Sequence, residues 1–339
     1  MINFLILFVC LIFIVIAANL FCNALEHLGE KLNISEGVTG SIFASIGTAL
    51  PETIIPILAI SGFSKSSVND EIGVGAILGA PLMLSSLSLF VMAIFTLRQR
   101  GLNGTITPEP TGLKRDLQFF LFSYSLAFLA IFIQHLSIHA FLNAIITITL
   151  GLSYFIYLML TIKSSSKLVL DGNQTEAGAS LLLTKLGFKL NIITISLQLF
   201  IALILLIYFA GAFIDSVNVI SLTYHISPFL LSLIIIPIAT EMPEKINSII
   251  WLRRKKDTLA IGNITGAMVF QGSLLPILGI LFTDWSLKNP LPIIGILITF
   301  IATLWFYYNA RQNNIRIWHF GLNGLLYLVN ISLCLYFSK

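Results

Sequence analysis

Ten long apolar runs, separated by short polar or turn-rich stretches, set the pattern of this chain. They fall at roughly 2–23, 37–62, 72–97, 117–134, 140–162, 190–214, 227–251, 259–283, 290–308 and 317–337. Each is near the ~20 residues that carry a helix across a hydrocarbon core about 30 Å thick. The first run has no basic residue ahead of it and no small-residue cleavage site, so it predicts a retained helix rather than a signal peptide. No segment between the runs is long enough to fold as a domain. The longest gap, 163–189, holds Ser164-Ser165-Ser166-Lys167 and Asp171-Gly172-Asn173-Gln174 and leaves five runs on either side. The expected organisation is a first five-helix unit over 1–162, a linker over 163–189 and a second five-helix unit over 190–339.

Composition agrees and narrows the function classes. Of 339 residues, 57% are hydrophobic and only 10% charged, with a mean hydropathy of +0.96; soluble proteins carry about 25% charged residues. A soluble enzyme, a disordered chain and a nucleic-acid binder are excluded. Three cysteines, Cys10, Cys22 and Cys334, are too few and too scattered for a disulfide framework or a zinc site.

The basic residues have a one-sided placement. With ten spans, the loops after spans 1, 3, 5, 7 and 9 lie on one face, and 15 of the 19 Lys and Arg belong to them. The opposite face holds Lys65, Lys288 and Lys339, and Lys245 falls inside a span. Basic loops stay cytoplasmic, so both termini are expected outside, in a multi-pass protein of the cell (inner) membrane. Five spans per unit make the second unit enter from the opposite side, and the expected fold is all-α: ten transmembrane helices as two inverted five-helix repeats.

One motif occurs in both units. Span 2 contains Gly47-Thr48-Ala49-Leu50-Pro51-Glu52 and span 7 contains Ala239-Thr240-Glu241-Met242-Pro243-Glu244, sharing Thr-x-x-Pro-Glu. Spans 3 and 8 add Gly75-x-x-x-Gly79-Ala80 and Gly262-x-x-x-Gly266-Ala267. Pro51 cannot donate to the carbonyl of Gly47, nor Pro243 to that of Ala239. Helices 2 and 7 are therefore expected to break at their Pro-Glu motifs, freeing carbonyls where only a polar cavity or protein interior tolerates them. Hydroxyl, carbonyl and carboxylate oxygens are ligands for a hard cation such as calcium or sodium. A lone acid costs about 2.5–3.5 kcal/mol at a helix centre, and Glu52 and Glu244 facing each other need a cation or a proton between them. A single Pro kink is ordinary packing; the same kink, hydroxyl and acid at inverted positions point to a cation site. The glycine pairs allow close helix packing.

The stretch from Asn23-Ala24-Leu25-Glu26 through Asn33-Ile34-Ser35-Glu36 to Gly47-Thr48-Ala49-Leu50-Pro51-Glu52 resembles the first alpha-repeat of the sodium/calcium exchanger family, within the calcium/cation antiporter superfamily. The second unit resembles it more loosely. The resemblance implies exchange by alternating access, with Glu52 and Glu244 as central cation ligands and Thr48 and Thr240 supplying further oxygens. The chain also departs from the family pattern. Ala49 and Glu241 stand where members carry a small hydroxyl residue, and Ala80 and Ala267 stand for serines. Leu84 and Gln271 stand at polar or acidic positions used mainly for sodium.

Glu241 lies four residues before Lys245, so it can form an i,i+4 ion pair or act as a third carboxylate for a cation or proton. Gln271 can offer an amide oxygen to a cation or bond between helices. The expected cation-binding set is Glu52, Glu244, Thr48, Thr240, Glu241 and Gln271. The expected activity is Ca2+ exchange for Na+, with H+-coupled exchange or a non-transporting scaffold as alternatives. The cargo is Ca2+ and Na+ or H+, with no cofactor. An intramembrane enzyme is disfavoured, since His-Glu-x-x-His and Gly-x-Ser-x-Gly are absent and inverted symmetry has no use in a one-sided active site. The expected partners are these cations and the bilayer, with no nucleic acid, and the unit is a monomer. Glu26, Glu30, Lys31 and Glu36 read as a solvated turn, and Trp251, Trp285, Trp305 and Trp318 as interfacial belt residues.

Overall fold

The computed structural model describes residues 2–31, 50–61, 67–133, 138–170, 180–224, 227–283, 285 and 291–337. In chain order the helices are α1 (Ile2–Lys31), α2 (Leu50–Ser61), α3 (Ser67–Met83), α4 (Leu89–Arg100), α5 (Pro110–Ile133), α6 (His139–Leu170), α7 (Leu182–Lys185) and α8 (Ile192–Tyr224). They continue with α9 (Pro228–Thr240), α10 (Met242–Arg253), α11 (Asp257–Phe282), α12 (Leu291–Arg311) and α13 (His319–Phe337). Among the described residues, seven helices are long and apolar enough to cross a membrane: Phe4–Lys31, Glu71–Arg100, Pro110–Ile133, His139–Ser164, Ile192–Tyr224, Asp257–Phe282 and Leu291–Arg311. The protein is a nearly all-helical membrane protein.

Several helices outrun the apolar segments that announced them. The residues Glu26, Glu30 and Lys31, expected in a solvated turn, instead continue α1, and His27 lies buried 3.6 Å from Glu30. Helix α6 runs on to Leu170, and α7 forms inside the expected linker. A helix satisfies its own backbone, so it can continue past the hydrocarbon edge once its side chains turn polar. With 33 residues, α8 is about 50 Å long at 1.5 Å per residue, well over the core thickness.

Span 3 is one continuous rod with a defect. Pro81 removes an amide from α3, and three residues later Leu84–Ser88 winds as a π-helical turn before α4 resumes. Hydroxyls fill the local deficit, with Ser85 and Ser86 both donating to the carbonyl of Leu82. From α13, Asn323 donates to the carbonyls of Ser85, at 2.7 Å, and Ala302, at 3.2 Å. Such π-turns gather at functional sites.

The apolar interior has two main parts. One joins α1 and α8, which pack along each other, with α2, α3 and α9 through Ile14, Ile55, Ile72, Phe213 and Ile236. The larger part is built around α11, which lies against α5, α6, α10 and α3. Helix α3 meets α9 at close range because Gly75 and Gly79 present no side chain there: a Cβ on Gly79 would strike the Leu233 carbonyl and come within 2.8 Å of Pro237 Cγ. Trp285 is not a belt residue. Its ring is 2% exposed, covers Gly279, and donates its indole N–H to the Ala127 carbonyl at 3.0 Å.

The loops after α4, α10 and α12 meet at one end of the bundle. Thr105–Ile106 (β1) pairs antiparallel with Ile315–Arg316 (β2), a small addition to the helical fold. Arg100 grips Asp257 through both guanidinium nitrogens, at 2.8 and 2.5 Å, and donates to the Leu252 carbonyl. The Thr107 amide donates to the same carboxylate.

Candidate functional site

Glu52 occupies the first turn of α2 and Gln271 the middle of α11, and both side chains are almost wholly buried. They meet: Gln271 Nε2 donates to Glu52 Oε2 at 3.2 Å. An acid from the first unit and an amide from the second therefore share one interior point. The amide oxygen of Gln271 has no hydrogen-bond partner among the described residues, so an acceptor remains open beside the carboxylate.

The second acidic position sits where span 7 changes helix. Helix α9 ends at Thr240, α10 starts at Met242, and Glu241 bridges them with φ −84° and ψ 4°. The backbone bonds Glu241 N to Pro237 O and Lys245 N to Glu241 O, each 3.1 Å, persist across the junction, so the interruption is slight. Glu241 is fully buried, and its Oε2 accepts from Ser88 Oγ at 3.2 Å and lies 3.4 Å from Lys245 Nζ. Lys245 is itself 4% exposed. The i,i+4 ion pair is therefore formed.

The remaining expected ligands divide in two. The Thr240 hydroxyl is buried and donates to the Ile236 carbonyl at 3.0 Å, leaving its oxygen lone pairs to accept or coordinate. Thr48 and the Gly47 carbonyl lie outside the described residues, and with them the approach to Pro51. Glu244 falls in the first turn of α10 by its backbone, and its side chain lies outside the description. Among the described residues, no group of three or more His, Cys, Asp or Glu comes together.

The structure adds polar groups that the sequence reading passed over. Ser88 reaches Glu241 from the π-turn. On α13, Asn323, Tyr327 and Asn330 recur at intervals of four and three, a helical stripe that was visible in the sequence; all three are buried. Neither the Tyr327 hydroxyl nor the Asn330 amide has a hydrogen-bond partner among the described residues. Elsewhere Asn263 donates to Ser248 Oγ at 3.1 Å, joining α11 to α10. Asp116, at the edge of its apolar run, accepts from Thr265 at 2.8 Å beside Arg115.

Known proteins resemble this chain. The chain is 23% identical over 308 residues to an uncharacterized membrane protein of Methanocaldococcus jannaschii, covering 91% of this chain and 89% of that one. It is 24% identical over 265 residues to the inner membrane protein YrbG of Escherichia coli, covering 78% of this chain and 75% of that protein. Among solved structures, the H+/Ca2+ exchanger CAX shares the fold with a TM-score of 0.76 at 17% identity, over 99% of this chain and 84% of that one. The sodium-calcium exchanger NCX_Mj does so with a TM-score of 0.65 at 21% identity, over 98% of each chain. The description "sodium/calcium exchanger protein" fits twice, over residues 2–163 and again over 195–336. Matched across nearly its whole length, this chain belongs to the sodium/calcium exchanger protein family.

Proposed function

We propose that the protein is a secondary active antiporter that exchanges Ca2+ for Na+ by alternating access. The observation that carries this reading is the Glu52–Gln271 contact, which brings the two units together at a buried carboxylate inside apolar helices. Charge supports a divalent cargo. The deep spans contain Glu52, Glu241, Glu244 and Lys245, a formal balance of two negative charges that one Ca2+ neutralises. A buried acid without such compensation is costly, so the core reorients only when loaded. The two family matches, one per half, support the ten-helix inverted repeat, with 1–162 and 190–339 as its units. The α1–α8 pair, packed against α2, α3 and α9 through its own apolar cluster, is the element that moves.

The basic loops are cytoplasmic in this reading, the termini outside, and the membrane potential contributes about 2.3 kcal/mol per net charge moved per 100 mV. Proton coupling is the second reading. Ala80 and Ala267 remove two hydroxyl oxygens, and the fold also matches an H+/Ca2+ exchanger. Calcium flux into proteoliposomes under imposed sodium or proton gradients tests both. Sodium-driven flux lost in Glu52→Gln is the expected result. Proton-driven, sodium-independent flux replaces the coupling ion, flux unchanged by Glu52→Gln removes the site, and no cation flux in the wild type removes the antiporter.

A further inference from the structure

The pocket around Glu241 is built like a cation site but is filled from within the chain. Two elements converge there, the helix junction of span 7 and the π-turn of span 3, and Asn323 of α13 holds the π-turn through the Ser85 carbonyl. Glu241 supplies a carboxylate with no solvent exposure, and Ser88 a hydroxyl 3.2 Å away. Oxygens of this kind are the ligands of hard cations in proteins. The cationic position, 3.4 Å from Glu241 Oε2, is taken by Lys245 Nζ. A lysine ammonium is a compact point charge, and at 4% exposure this one is held inside the bundle rather than at its rim.

We propose that Lys245 is a tethered counter-cation: its ammonium permanently occupies a monovalent-cation site formed by Glu241 and Ser88. With Lys245 in place the pocket is neutral without any ion from solution. For the exchange cycle, a consequence that rests on the antiport reading above, the pocket contributes no mobile monovalent ion. Removing the ammonium while leaving the carboxylate should open the site to a free cation.

Ion binding by the purified protein tests this without transport, through melting temperature titrated with NaCl, KCl or LiCl against choline chloride at constant ionic strength. Wild type shows no saturable monovalent response that depends on Glu241. Lys245→Ala gains one, with an upward shift of at least ~2 °C at saturation, and the double variant Glu241→Gln/Lys245→Ala loses it. A Lys245→Ala protein that folds only when one of the three alkali cations is present is the same result in stronger form. A Lys245→Ala protein that folds without any cation response overturns the proposal, and so does a response that survives in the double variant. Failure of Lys245→Ala in every salt, whether or not the double variant folds, also overturns it, since no free cation then replaces the ammonium. If wild type carries no Ca2+ yet Lys245→Ala gains the response, the antiport reading falls and the tethered cation stands.

Discussion

Gln271 donates its side-chain amide to Glu52 across 3.2 Å, joining positions 219 apart in the chain at a point where both side chains are almost wholly buried. A hydrogen bond to a buried carboxylate is worth roughly 1.5–3 kcal/mol, and in the cation-free protein this one compensates Glu52. Gln271→Leu should therefore lower the melting temperature more in a calcium chelator than in saturating Ca2+, because the bound cation takes over that compensation. Equal losses in the two conditions would show that the cation does not reach Glu52.

The clamp at the loop end behaves differently. Arg100 and Asp257 have side-chain exposures of 12% and 6% and are joined by two hydrogen bonds, and Asp257 also accepts from the Thr107 amide. Removing one partner of such a buried pair costs about 3–5 kcal/mol. Asp257→Ala should destabilise by that amount in thermal unfolding, in calcium and in chelator alike, whereas Arg100→Met/Asp257→Leu should recover much of it. A loss that depended on calcium would mean that the clamp belongs to the transport site.

Close packing at Gly79 predicts a steric result. An added methyl there meets the backbone of Leu233 and the Pro237 ring, neither of which can rotate away. Gly79→Ala should destabilise by about 3 kcal/mol or abolish expression. Gly211, in α8, has no atom within 4 Å of the same methyl, so Gly211→Ala should be neutral or gain up to ~1 kcal/mol. Comparable melting temperatures for the two variants would contradict the α3–α9 contact.

Asn330 tests whether the polar stripe of α13 serves function. A buried amide without hydrogen-bond partners among the described residues is a stability cost of about 1–3 kcal/mol. Asn330→Leu should raise the melting temperature and reduce calcium flux at least threefold, the trade expected of a functional polar group. Unchanged flux with raised stability would make Asn330 a structural residue.

Much of this organisation was legible because membrane solvation acts on single residues. With charge so sparse, apolar runs marked the helices, and Glu241 and Lys245 announced their ion pair through i,i+4 spacing alone. Contacts between distant segments carried no such local signal. Ser88 touches Glu241 from 153 positions away, and the π-turn that carries it follows Pro81 and has the Leu82 carbonyl accepting from both Ser85 and Ser86. Trp285 looked interfacial because tryptophan often is, and only the space above Gly279 gave it a buried place. Helix ends were misjudged, as at Glu26–Lys31, since hydropathy reports the lipid boundary rather than the end of the hydrogen-bonded spiral.

The two-stranded β1–β2 pair has a mechanical consequence. Together with the Arg100–Asp257 clamp it laces the turns after α4, α10 and α12 into a single stiff collar. The helices that enter and leave these turns are thereby tied to one another at this end. Among the described residues α1 and α8 contribute nothing to this lacing, so the fold ties one group of helices at their ends and holds the α1–α8 pair by side-to-side apolar packing.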